Sequence, residues 1–284
     1  MSKDILGFEL TGKVCLVTGG ANGIGLATAQ ALAALGASVC ILDLNLASAT
    51  TAAESIAKST GARALGLRAS VASEREVLEA IAECSATLGP IDVLVNNAGI
   101  LAPNLVNFAE IDTHDIDEMQ RVHVMGTTIV TRAVINSMVE RGFGRVINLS
   151  SVFGLLGAPR RIGYCMAKHA IVGFTRALAV EVARCGVTVN AVAPGYVLTE
   201  HLKQRIDDGL LDYAPNADRA PAGRWAIPEE IAHAITFFAL PASGFITGVV
   251  LPVDGGYTIR GDAGESLGPI QYPAALDTLR SEVF

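Results

Sequence analysis

Residues 13–36, KVCLVTGGANGIGLATAQALAALG, constrain the fold more than any other stretch of the chain. An unbroken apolar run leads straight into a glycine cluster, and an alanine-rich helical pattern follows, ending at Gly36. The run 13–19 reads as a strand with no solvated face, and 24–36 as a helix stopped by a glycine. The alternation then repeats. Strands are predicted at 38–44, 63–69, 91–99, 144–151, 187–195 and 248–256. Helices are predicted at 46–59, 73–88, 114–140, from Tyr164 to about 185, and from Pro228 onward. Continuous apolar strands joined by helices call for a parallel sheet covered on both faces. Right-handed crossovers wind such a sheet in both directions.

Composition fits this class. Of 284 residues, 51% are hydrophobic, only 5% aromatic and 17% charged, which favours a large aliphatic core. No break in composition divides the chain, so residues 1–258 are expected to form one domain. Within it, 198–226 is polar and Pro-containing and reads as a lid. Residues 259–284 form a tail with several Gly and Pro. A net charge of −7 without a basic cluster argues against a nucleic-acid or anionic-membrane partner. Cys15, Cys40, Cys84, Cys165 and Cys185 are scattered, never spaced as CxxC, and suggest neither a disulfide framework nor a zinc site. The N-terminus has no signal-peptide core and no stretch is of membrane-spanning length, so a cytoplasmic location is the expectation.

The first strand ends in TGGANGIG, Thr18 to Gly25. Glycines there permit a tight turn and close approach of a diphosphate, which the N–H groups of the following helix can bind. This is the opening of a Rossmann-like doubly wound α/β fold. Asp43 ends the second strand, where a carboxylate can accept both ribose hydroxyls of an adenosine and would repel a 2′-phosphate. No Arg or Lys lies in the turn or directly after Asp43, so NAD(H) is expected rather than NADP(H). Tyr164 and Lys168, four apart, share one face of a helix.

From about Leu10 to Tyr257 the chain resembles the short-chain dehydrogenase/reductase family. TGGANGIG is similar to its Thr-Gly-x-x-x-Gly-x-Gly turn, and NNAG at 96–99 to its second signature. Ser151 with Tyr164-x-x-x-Lys168 matches its Ser and Tyr-x-x-x-Lys set. Pro194-Gly195 with Thr199 matches its nicotinamide-side loop, and PEEIAHAITFFAL and ITGVVLPVDGG its last helix and strand. The resemblance implies a dinucleotide site at Gly19, Asn22, Gly23, Ile24, Gly25, Asp43, Ser70, Val71, Asn96, Asn97, Ala98 and Gly99. It continues through Tyr164, Lys168, Pro194, Gly195, Val197 and Thr199. Asn96 and Asn97 are also suited to tying neighbouring strands together.

The implied reaction interconverts a secondary alcohol and its ketone. Tyr164 moves the proton, Ser151 holds the substrate oxygen, and Lys168 holds the nicotinamide ribose while its ammonium, with a positive nicotinamide ring, lowers the phenol pKa. Substrate contacts are expected from Val152, Phe153 and Tyr164, from 100–107 and from the lid. These are mostly apolar and suit a hydrophobic alcohol or ketone. Arg160 and Arg161 read as surface or interface charges in preference to contacts for an anionic substrate. A 3-oxoacyl-thioester reductase and a non-catalytic dinucleotide sensor are the alternatives; the intact Ser-Tyr-Lys set speaks against the sensor.

Three departures stand out. His123 occupies the place of the family's relay asparagine, either joining the proton relay or simply packing. Its pKa is expected to fall, leaving it neutral. Ser70 replaces the usual Asp before Val71. The tail runs beyond the point where many relatives, often tetramers, end; it covers a neighbour's active site or lies on the surface. A homotetramer is expected, with a dimer the alternative.

Overall fold

The computed structural model describes residues 7–101 and 105–261. Seven parallel strands form one sheet: β1 (Val14–Thr18), β2 (Ser38–Asp43), β3 (Ala64–Arg68), β4 (Val93–Asn96), β5 (Gly144–Leu149), β6 (Val187–Pro194) and β7 (Val250–Val253). Their order is β3-β2-β1-β4-β5-β6-β7. The winding reverses between β1 and β4, so the expected doubly wound α/β sheet is the fold observed.

The apolar runs become strands because both faces of the sheet are covered. Cys15 and Val17 of β1 point into one core, shared with α1 (Gly23–Ala34), α2 (Leu46–Thr60) and α9 (Pro228–Ala239). Val14 and Leu16 point the other way. They meet α3 (Glu74–Thr87), α5 (Gly126–Glu140) and α6 (Ile162–Val182). This period-two alternation removes every side chain of β1 from water. Each Val or Leu so buried contributes about 1.5–3 kcal/mol of transfer free energy.

The predicted helix 114–140 is a divided one. It consists of α4 (Thr113–Met119), a π-helical turn (Gln120–Met125) and then α5. The extra residue of a π turn re-aims the side chains it carries, and His123 lies in it. The expected lid contains two short helices, α7 (Glu200–Asp207) and α8 (Ala214–Arg219). Its base is tied to the strand ends, where Leu198 N–H donates to the Ala226 carbonyl (2.7 Å) and Ala226 N–H to the Tyr196 carbonyl (2.9 Å). Of the tail, 262–284 lies outside the described residues, as do 102–104 of the expected substrate stretch. All five cysteines are free, and among the described residues no helix is long and apolar enough to cross a membrane.

Close packing fixes the glycine turn. A Cβ on Gly25 would lie 2.1 Å from the Gly19 carbonyl oxygen and 2.6 Å from Asn97 Nδ2. The obstacle is backbone and cannot swing aside. Gly25→Ala is therefore predicted to destabilise the protein by about 1–3 kcal/mol, the usual cost of overpacking. It should also weaken NADH binding. Urea unfolding and an NADH titration check this, and an unchanged midpoint with unchanged binding would refute it.

Candidate active site

Because the sheet is parallel, the C-terminal ends of β1, β4, β5 and β6 share one edge, beside the reversal between β1 and β4 where such sheets bind ligands. Hydrogen bonds join the first two ends. Thr18 Oγ1 accepts from the N–H groups of Asn97 and Ala98, both at 3.0 Å. Asn97 Nδ2 donates to the carbonyls of Thr18 and Gly19, both at 2.9 Å. Asn96 turns away into the interior, donating to Asn148 Oδ1 (2.9 Å) and Thr131 Oγ1 (3.0 Å). Its amide thus ties β4 to β5 and α5.

At the other end of the crevice Asp43 accepts from the N–H of Ala21 in the glycine turn and of Asn45, each at 3.2 Å. Helix α1 starts at Gly23 with no carboxylate in its first turn, and the Asn22 side chain makes no capping hydrogen bond. Its N-terminal N–H groups are suited to a diphosphate. Ser70 is held by its backbone N–H on Glu76 (3.0 Å), and Val71 is buried beside it. The Thr199 hydroxyl caps α7 by accepting from the Leu202 N–H, and its methyl would lie 3.2 Å from a Cβ on Gly23, which places this end of the loop against the glycine turn.

Ser151 follows β5, and its hydroxyl accepts from the N–H of Phe153 (3.2 Å). Tyr164 and Lys168 lie in the first two turns of α6, with the ammonium 5.5 Å from the centroid of the phenol ring. Lys168 is 5% exposed, and its Nζ donates to the Leu149 carbonyl (2.8 Å). Burial brings its pKa down to about 7. The chain alone does not lower the phenol as expected. Burial pushes Tyr164 up, while the adjacent Ser151 hydroxyl and the nearby Arg161 guanidinium pull it back. Arg161 is the cation that opposes burial at Tyr164.

His123 is 3% exposed and stands edge-on to Tyr164, ring centroids 5.6 Å apart. Its Nε2 lies 2.9 Å from the Ile100 carbonyl and 3.3 Å from the Ile100 N–H, and with its proton on Nε2 the ring donates to the carbonyl. Its pKa falls to about 3, chiefly through burial and secondly through Lys168, against a smaller upward pull from Ile100. The ring fits only because Gly99 has no side chain: a Cβ there would lie 2.4 Å from His123 Cε1.

Val152, Phe153 and Tyr164 meet in an aromatic cluster with Tyr196 and Tyr257. The Phe153 ring centroid lies 6.4 Å from Tyr164, 6.2 Å from Tyr196 and 6.5 Å from Tyr257. Trp225, buried at the end of the lid, extends the cluster at 4.9 Å from Tyr196. Sequence reasoning missed Tyr196, Trp225 and Tyr257. Only Tyr196 carried a signal, standing directly after the Pro194-Gly195 strand end.

The family described as "Enoyl-(Acyl carrier protein) reductase" matches residues 19–258. A 3-oxoacyl-(acyl-carrier-protein) reductase of Aquifex aeolicus is 37% identical over 87% of this chain and 98% of its own. The D-threitol dehydrogenase of Mycolicibacterium smegmatis is 38% identical, over 89% and 95% of the two chains. The crystal structure of a short-chain type dehydrogenase/reductase from Mycobacterium marinum superposes with a TM-score of 0.83 at 32% identity, covering 89% of this chain and 98% of that one. With its sheet order, its glycine turn and its Ser151–Tyr164–Lys168 grouping on one edge, this chain belongs to the short-chain dehydrogenase/reductase family of oxidoreductases, which bind a nicotinamide dinucleotide.

Proposed function

We propose that the protein is an NAD(H)-dependent oxidoreductase that interconverts a hydrophobic secondary alcohol and its ketone. The observation that carries this reading is the meeting of Ser151, Tyr164 and Lys168 at the edge that also holds the glycine turn and Asp43. Gly19–Gly25 and the N-terminus of α1 would hold the diphosphate, Asp43 the adenosine ribose, and Lys168 the nicotinamide ribose. Ser70 and Val71 would flank the adenine, Asn97 to Gly99 the middle of the dinucleotide, and Pro194, Gly195, Val197 and Thr199 its nicotinamide side. A bound nicotinamide dinucleotide supplies hydride transfer. Tyr164 takes the alcohol proton or returns it to the ketone oxygen, which Ser151 holds by a hydrogen bond. Val152 and Phe153 would bound the substrate.

The second reading, a 3-oxoacyl-thioester reductase, is favoured by what the Aquifex relative is called. Asp43 weighs against it if that chemistry uses NADPH. The exposed rings of Phe237 and Phe245 offer apolar surface that a homotetramer would bury. Light scattering on the purified chain measures that mass directly. A screen of secondary alcohols with NAD, read as NADH absorbance, tests the activity, and turnover only of acyl thioesters with NADPH would favour the second reading.

Asp43→Ala is predicted to relax the preference for NAD over NADP, measured as the ratio of kcat/KM values; wild type using NADP equally well would refute the assignment. Tyr164→Phe is predicted to lose turnover by far more than tenfold, a barrier rise beyond about 1.4 kcal/mol, while NADH still binds. Activity within tenfold of wild type would assign the proton transfer elsewhere.

His123 is a neutral hydrogen-bonding group beside Tyr164. Alcohol oxidation needs the phenolate, so its rate should rise with pH through the Tyr164 titration. With a pKa of about 3, His123 adds no limb above pH 5. His123→Asn should keep that profile and much of the rate. His123→Leu leaves the Ile100 carbonyl without its donor, at about 1–3 kcal/mol if it stays unsatisfied. Gly99→Ala should be costly in wild type and much cheaper beside the smaller Asn, a coupling that a double-mutant cycle reads. Additive effects, or a His123→Leu enzyme as fast as wild type across the pH range, would reduce the histidine to packing.

A further inference from the structure

Among the described residues Arg160 is the one non-glycine residue in the left-handed backbone region, with φ +60. Such a conformation is uncommon without an Asn, Asp or Gly, and it persists where the surroundings hold it. It lies directly before Arg161, which flanks the start of α6 three residues ahead of Tyr164. The half-buried Arg161 side chain lies over the Phe153 ring, Cζ 5.3 Å from the centroid. Its charge also pulls against the burial that raises the Tyr196 phenol. From the lid, Arg219 lies over the Tyr257 ring at 4.7 Å. Both guanidinium groups therefore rest on the ring cluster that contains Tyr164. Neither forms an ion pair with a carboxylate among the described residues, whereas Arg224, on the same lid, is paired with Glu230.

Arg161, on the Phe153 ring that meets Tyr164, and the more exposed Arg219, on Tyr257 of the same cluster, are suited to an anion in a chain of net charge −7. Guanidinium binds a carboxylate through two parallel N–H bonds and keeps its charge when partly desolvated. We propose that Arg161, with Arg219 on the lid, recognises a carboxylate on the substrate, so that the alcohol or ketone taken by this site is a hydroxy or oxo acid with an apolar body. This rests on the oxidoreductase reading and narrows its substrate class. Arg161 also pulls the Tyr164 phenol down. That effect would serve charged and uncharged substrates alike, so it can be separated from recognition.

The chain's single tryptophan, Trp225, touches the cluster and provides a binding signal independent of turnover. Its fluorescence is titrated with cyclohexanecarboxylate and with cyclohexanecarboxamide, in wild type and in Arg161→Gln. The expectation is that wild type binds the carboxylate at least about tenfold more tightly and that Arg161→Gln removes this preference, a change of about 1.4 kcal/mol. Arg161→Lys should retain part of it. Turnover is then compared for 4-oxocyclohexanecarboxylate and its methyl ester with NADH. Arg161→Gln should raise KM for the acid about tenfold and KM for the ester by less than about threefold, beside any loss of kcat that the two share through Tyr164. No saturable response to the carboxylate, no preference for it in wild type, or equal rises in KM for acid and ester would overturn the proposal. A carboxylate preference in binding, with neither ketone reduced by NADH and no secondary alcohol oxidised in the NAD screen, would keep the anion site and reject the NAD(H)-dependent alcohol–ketone reading.

Discussion

Thr18 and Asn97 make the contact on which this edge of the protein depends. Where parallel strands end, their backbone N–H and C=O groups lose ladder partners, and leaving such groups buried and unpaired costs as much as a lost hydrogen bond. The hydroxyl of Thr18 accepts two N–H groups from the end of β4, and the Asn97 amide returns two hydrogen bonds to the end of β1. This exchange holds two neighbouring turns at one separation, and Gly25 closes against both. Deeper in the sheet, Asn96, Asn148 and Thr175 continue the ties from β4 through β5 to α6. The helix that carries Tyr164 and Lys168 is thereby referenced to the strand that carries the glycine turn.

Burial then sets the electrostatics. Lys168 and His123 sit at 5% and 3% exposure, and each is drawn toward its neutral form, to about 7 and about 3. Two basic groups stand beside a phenol and share one cause of perturbation, the loss of hydration. The histidine pays a second penalty for facing the lysine. A neutral imidazole can both donate and accept, so the residue in the π turn remains a hydrogen-bonding element where a cation would compete with Lys168. Gly99 and His123 belong together sterically: the bulk added in the π turn is accommodated by the side chain absent from the end of β4.

The sheet, its winding and the residues at its carboxyl edge were legible in the sequence because each depends on local pattern. Apolar runs such as VCLVT can only be strands covered on both sides, and glycine clusters at their ends mark turns. The π turn was not legible, since an insertion into a helix leaves hydrophobic periodicity almost unchanged over six residues. The upward pull of burial on Tyr164 was not legible, because spacing on a helix face shows proximity to Lys168 but not burial. The aromatic cluster was invisible for another reason. Phe153, Tyr196, Trp225 and Tyr257 are brought together by crossovers from four separate segments, and no one-dimensional pattern links them.

The same long-range assembly gives the crevice a polarity that its composition hides. A carboxylate, Asp43, stands at the end beyond β1, held by two backbone N–H groups. Two guanidinium groups stand on the rings at the far end. A chain with 28 acidic and 21 basic residues therefore does not present a uniformly negative cleft. Fields inside such a cleft are shaped by the nearest few charges, because low-dielectric walls strengthen close interactions while solvent screens distant surface charge within about 8 Å at physiological salt. A ligand lying along the edge thus meets an acceptor first and donors last. That order selects for hydroxyls at one end and for an electron-rich group at the other, with the phenol of Tyr164 among the rings of the second end.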